Sequence, residues 1–112
     1  MSLSMFQSFC FLPVAPKITP FSFGENPLQS GESAAVTCTV SAGDHPLELS
    51  WWFNDERINP DSADLSIMTG KRSTTLTIES VAGNHSGNYT CMARNAAGHA
   101  EVTTQLFVNG SS

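Results

Sequence analysis

One spacing constrains this chain more than any other. Cys38 and Cys91 frame Trp51, and Tyr89-Thr90-Cys91 sets a tyrosine two residues ahead of the second cysteine. Together these residues read as a two-sheet antiparallel sandwich: one disulfide joins the sheets, a tryptophan packs on it, and a buried tyrosine hydrogen-bonds backbone upstream. The alternation around them agrees. Between Ala34 and Val40, Val36, Cys38 and Val40 share one parity against Ala35, Thr37 and Thr39, so the cysteine faces the core with the valines. Leu47, Leu49, Trp51 and Phe53 form a second such face, which selects Trp51 as the packing tryptophan and turns Trp52 outward. Tyr89, Cys91 and Ala93 form a third.

The rest of the chain continues the pattern of short alternating runs cut by Gly, Pro, Asn and Asp, which predicts an all-β fold. Leu65 and Ile67 supply a short strand, and Ser73 to Glu79 alternates Leu76 and Ile78 inward against Thr75, Thr77 and Glu79 outward. Val102 to Val108 closes the second sheet, with Val102, Leu106 and Val108 inward. Ser41 to Asp44, Asn54 to Glu56, Asn59 to Asp61, Ala82 to Gly87 and Asn95 to Gly98 are the turns. Trp51, Leu76, Ile78 and Tyr89 are the expected centre of the core. A disulfide closing a loop of roughly 50 residues contributes about 4 kcal/mol in a chain-entropy account, a large share of the ~5–15 kcal/mol of a typical domain.

A length of 112 residues accommodates one core and not two. Residues 15–109 are expected to form the domain and 110–112 a tail. Residues 1–14 read as a leader outside the fold: Phe6, Phe9, Phe11 and Leu12 make it apolar, but no basic residue precedes Lys17, as a signal peptide requires. Cys10 falls in that leader, apart from the well-spaced pair. No run approaches the ~20 apolar residues needed to cross a bilayer, so no direct membrane contact is expected within the chain. Ten acidic against five basic residues give a net charge of -5, which disfavours nucleic acid and anionic lipid as partners.

Candidate chemistry is sparse. His45, His85 and His99 lack ligand spacing, and the carboxylates of Asp44, Glu48, Asp61 and Asp64 fall in scattered turns, so no metal and no cofactor are expected. No serine sits in a nucleophile elbow and no glycine-rich loop follows a strand, so no enzymatic activity is expected. Asn84-His85-Ser86, Asn88-Tyr89-Thr90 and Asn109-Gly110-Ser111 are acceptor triplets for N-linked glycans. With the cysteine pair they point to the extracellular part of a cell-surface or secreted protein.

Leu76-x-Ile78, then Gly87-x-Tyr89-x-Cys91-x-Ala93-x-Asn95 and Gly98, resemble an I-set immunoglobulin domain from Pro16 to Val108. That pattern usually carries Asp two residues before the glycine, where His85 stands here. More narrowly, Pro16-Lys17-Ile18-Thr19-Pro20-Phe21 and Ser41-Ala42-Gly43-Asp44-His45-Pro46-Leu47 resemble the seventh immunoglobulin domain of the Down syndrome cell adhesion molecule (Dscam) family. In arthropods the resemblance implies an alternatively spliced domain of a neuronal and immune surface receptor whose identical isoforms recognise one another. It also implies pairing with a second copy through the sheet of strands A, B, E and D. The outward residues of that sheet are Thr37, Thr39, Ser66, Met68, Thr75, Thr77 and Glu79. One small face implies a weak dimer or a monomer in isolation. The competing expectations are recognition of a different ligand or a pathogen surface through loops or Trp52, and a spacer role in a multidomain array.

Overall fold

The computed structural model describes residues 12–110 of the chain. Most of the expected leader, including Phe6, Phe9 and Cys10, lies outside the described residues, as do Ser111 and Ser112. The strands are β1 (Lys17–Thr19), β2 (Leu28–Gln29), β3 (Ala34–Ala42), β4 (Glu48–Phe53), β5 (Glu56–Arg57), β6 (Ser66–Thr69), β7 (Ser73–Ile78), β8 (Gly87–Asn95), β9 (Gly98–Leu106) and β10 (Val108–Asn109). They build two four-stranded antiparallel sheets, ordered β1-β3-β7-β6 and β5-β4-β8-β9, with β2 and β10 joined as a short parallel pair. The two larger sheets are the A-B-E-D and C′-C-F-G sheets of a sandwich.

Each sheet turns one side chain parity inward, and the core forms where those faces meet. Val36, Cys38 and Val40 of β3 and Leu76 and Ile78 of β7 face Trp51 of β4 and Tyr89, Cys91 and Ala93 of β8, and all are buried. The Cys38–Cys91 disulfide crosses between the sheets, with the two Cα atoms 6.4 Å apart. Trp51 is the direct strand partner of Cys91, which holds its indole against the bridge. A buried indole needs somewhere to donate its proton. Trp51 Nε1–H donates to Thr74 Oγ1 at 3.1 Å, and Thr74 Oγ1 pairs with Thr69 Oγ1 at 3.0 Å, so the hydroxyl buried at 1% exposure is satisfied. The segment between β1 and β2 adds Phe21, edge-on to Trp51 at 5.6 Å, and Phe23, edge-on to Tyr89 at 5.3 Å.

Three boundaries differ from expectation. β3 continues to Ala42, two residues into the expected turn, because β1 pairs alongside it with a register shift at Lys17/Ile18. The last strand starts at Gly98 rather than Val102 and stops at Leu106. The Phe107 carbonyl there accepts from Leu28 N–H at 2.9 Å, and the chain leaves β8 to pair with β2 as β10. At the other end the hydrogen-bonded structure reaches back to Val14. Its N–H donates to Asp44 Oδ2 at 2.9 Å, and its carbonyl accepts from Asp44 N–H at 3.1 Å and from Asn95 Nδ2 at 2.7 Å. Gly43 makes this docking possible: at φ +129 it tolerates a backbone that other residues avoid, and a Cβ there would come within 2.9 Å of Pro16 Cα.

Candidate functional site

The outer face of the β1-β3-β7-β6 sheet is built in rows by strand register. Thr37 of β3, Thr75 of β7 and Met68 of β6 stand side by side as successive partners, and Ala35, Thr77 and Ser66 form the next row. Thr39 pairs with Ser73 on one side and Thr19 on the other. Glu79 is exposed just beyond the last residue of β7, at the rim. The expected candidates Thr37, Thr39, Ser66, Met68, Thr75, Thr77 and Glu79 therefore lie on or at the edge of one surface. Thr19, Ala35 and Ser73 also belong to it and were not among them. The signal for Ser73 was its parity with Thr75 and Thr77. Ala35 shares the outward parity of Thr37 but has no polar group to mark it as a contact residue, and three residues of β1 are too few for alternation to identify Thr19.

Chemically this face is uncharged at its centre. Thr37 Oγ1 and Thr75 Oγ1 hydrogen-bond each other at 3.0 Å, so both hydroxyls have a partner before anything covers them. Beside them Met68 is 73% exposed, an apolar side chain with nothing packed over it.

The corner between β7 and β8 is organised by His85, the residue that replaces the usual Asp. A single 3₁₀ turn, Gly83–His85, leads into it. The His85 Nδ1 accepts from Ala82 N–H at 2.9 Å, the reach-back bond of a capping box, made here by an imidazole. The Ala82 N–H therefore has a side-chain acceptor without an Asp at this position. The cost appears at the other nitrogen: Nε2 is buried without a hydrogen-bond partner, with Asp64 Oδ2 4.0 Å away. The His85 carbonyl accepts from the Tyr89 hydroxyl at 2.7 Å, closing the tyrosine corner. Burial pushes the Tyr89 phenol up from 10.0 to about 12, because the interior disfavours a phenolate. Gly87 lets the chain pass: a Cβ there would lie 2.7 Å from both Phe53 Cε1 and Asn54 Oδ1.

The three acceptor asparagines avoid the threonine face. Asn84 is exposed in the 3₁₀ turn, Asn109 is exposed in β10, and Asn88 is exposed on β8 in the opposite sheet. On the outer face of that sheet Trp52 is half-buried, its Nε1–H donating to Ser50 Oγ at 3.0 Å, so it lies along the sheet instead of standing clear of it. Arg94 and Glu48 pair at 3.0 Å nearby, both exposed. Among the described residues no three His, Cys, Asp or Glu side chains gather as a metal site would require, and no helix is long and apolar enough to cross a membrane.

Residues 15–95 match the family model described as an immunoglobulin domain. The chain is 39% identical over 97 residues to the cell adhesion molecule Dscam1 of Drosophila melanogaster, which covers 86% of this chain and 5% of that protein. The curated relatives it matches are thus far longer than the chain, which spans about 5% of their length. Among solved structures it is similar to the Dscam1 Ig7 domain, isoform 5, with a TM-score of 0.82 and 36% identity over 85% of this chain and 97% of that one. The Dscam1 Ig7 domain, isoform 9, gives a TM-score of 0.81 and 38% identity over 85% of this chain and 100% of that one.

Proposed function

The chain belongs to the immunoglobulin-domain family and is homologous to the immunoglobulin domains of Dscam-type cell adhesion molecules, and from that premise we propose that it is an extracellular recognition module that binds a second copy of itself. The observation that carries this reading is the row Thr37, Thr75 and Met68. Covering a polar face normally costs the desolvation of each group left unpaired. Here the two central hydroxyls already bond each other at 3.0 Å, which leaves only one of their two protons to find an acceptor, and the exposed methionine adds apolar area, so a matching face can approach at reduced penalty. The acceptor asparagines lie off this surface, so glycans on them leave it open.

Size sets the strength. Four strands about 4.8 Å apart and about 20 Å of strand length give a footprint of about 400 Å² per copy, half of the ~800 Å² per partner of a standard interface. A single domain then pairs weakly, and a receptor gains avidity by engaging several such domains at once. In a two-fold interface each substitution enters twice, so a changed side chain is penalised twice. That doubling is a physical route to isoform-specific recognition, whether between neurons or in immunity.

Sedimentation velocity from micromolar to near-millimolar concentration tests the reading. Dimers should form with rising concentration and vanish in Thr77→Arg and in Met68→Asp, the second substitution being at an exposed edge position that leaves the core untouched. Dimers that persist in both variants, or monomers throughout at near-millimolar concentration, would reject pairing through this face.

A further inference from the structure

The opposite sheet carries a hollow that pairing through the threonine face leaves unused. Trp52, Asp55, Thr90, Met92 and Glu101 line a cleft of about 170 Å³. Trp52 and Met92 give it an aromatic and an apolar wall, and its charged groups are two carboxylates from separate elements, one in the turn between β4 and β5 and one on β9. Among the described residues neither Asp55 nor Glu101 makes an ion pair, while Arg57 and Arg94 line the adjoining hollow with Trp52 and Met92, and Arg94 is paired with Glu48. The other polar groups of the cleft are already engaged. Thr90 Oγ1 bonds Thr103 Oγ1 at 2.7 Å, and Trp52 Nε1–H bonds Ser50 Oγ at 3.0 Å.

We propose that this cleft binds the arginine or lysine side chain of a basic segment on a different protein. A cation over an indole face is attracted by the ring quadrupole, and carboxylates beside it add charge complementarity. The hydrogen bond to Ser50 fixes the indole in advance, so less side chain freedom is lost there on binding. A net charge of -5 favours the approach of a basic partner. A second copy of this chain is the competing source of the cation, and the concentration dependence in the test below reads it out. Of its five basic residues, Arg72 is held by the carbonyls of Val40 and Gly43, at 3.3 and 2.7 Å, and Arg94 is paired with Glu48, which leaves Lys17, Arg57 and Lys71 exposed. This inference does not rest on the threonine face, and loss of dimers in sedimentation bears on that face alone.

The test is an NMR titration with an acetylated, amidated pentapeptide carrying one central arginine, beside the same peptide carrying the neutral isostere citrulline. The protein carries Asn88→Gln, so that no glycan stands on the same face. The expected result is a saturable shift of the Trp52 indole N–H and of the Thr90, Met92 and Glu101 amides with the arginine peptide and none with citrulline. Asp55→Asn with Glu101→Gln should weaken binding by about tenfold or more, and Trp52→Leu should abolish it. Asparagine accepts the left-handed conformation at position 55, and the amide spectrum reports whether each variant is folded. Equal shifts with citrulline, or unchanged affinity in the double variant, would overturn the assignment. So would a Trp52 signal that moves with protein concentration before any peptide is added, since a second copy would then fill the cleft.

Discussion

Replacing Tyr89 by Phe isolates a single hydroxyl. The ring is 1% exposed and sits between Phe23 at 5.3 Å and Phe53 at 4.8 Å, contacts that phenylalanine retains. What is lost is the 2.7 Å bond to the His85 carbonyl. A net hydrogen bond contributes about 0.5–1.5 kcal/mol, and a partly buried carbonyl left without its donor raises the expected loss to about 1–2 kcal/mol at neutral pH. The pH dependence is sharper. Burial holds the folded-state phenol at about 12 against 10.0 for an ordinary tyrosine. Below pH 10 both states keep the proton and the contribution is intact. Between pH 10 and 12 the unfolded chain releases its proton while the folded one retains it, so the unfolded state binds fewer protons and stability falls as pH rises. At about 1.36 kcal/mol per tenfold change the whole limb spans about 2.7 kcal/mol, and solvent near the corner lowers this to about 1–2 kcal/mol. Phenylalanine has no such limb, so the gap between the two proteins should narrow toward zero by pH 11.5. Urea midpoints from pH 7 to 11.5 measure it, in a Cys10→Ser background so that no thiolate attacks the disulfide. A gap that stays constant across that range would refute the reasoning.

Two further outcomes follow from the corner and the bridge. His85→Ala should cost about 1–2 kcal/mol by freeing the Ala82 N–H, while His85→Asp should restore that acceptor without burying an unpartnered nitrogen and be at least as stable as the natural chain; thermal melts at neutral pH decide, and an Asp variant as weak as the Ala variant would contradict this account. Replacing Cys38 and Cys91 together by Ala should lower unfolding free energy by about 4 kcal/mol for a loop with a sequence separation of 53, read from denaturant midpoints, and a loss below about 1 kcal/mol would show that the unfolded chain is already constrained by other means.

Much of the fold was legible because a β strand writes its geometry into residue parity. The inward set of Val36, Cys38, Val40, Trp51, Leu76, Ile78, Tyr89 and Cys91 repeats every second position, and each of these residues is buried. The same parity gave the outward direction of Thr37, Thr39, Thr75 and Thr77. Phe21 and Phe23 escaped because they lie in an irregular segment, where no period marks a side chain as inward, yet both stack on core aromatics. The handover of the last strand from β8 to β2 escaped for a similar reason: it depends on which backbone passes nearby, and a two-residue parallel pair leaves no pattern in the chain.

The candidate surfaces divide along the same line. Parity pointed the threonines outward and a second tryptophan away from the disulfide, and the family resemblance grouped the threonines on one face poor in charge. Neighbours across strands are separated by dozens of residues in sequence, and only register brings them together. It took the folded sheets to set Thr37 beside Thr75 at hydrogen-bond distance, to lay Trp52 over Ser50, and to gather Asp55 and Glu101 around one cleft. The sequence by itself determined which way each strand side chain points, because that is a local property of an extended backbone. The tertiary structure decided which side chains meet, because that depends on strand order and register, which are properties of the assembled sheets.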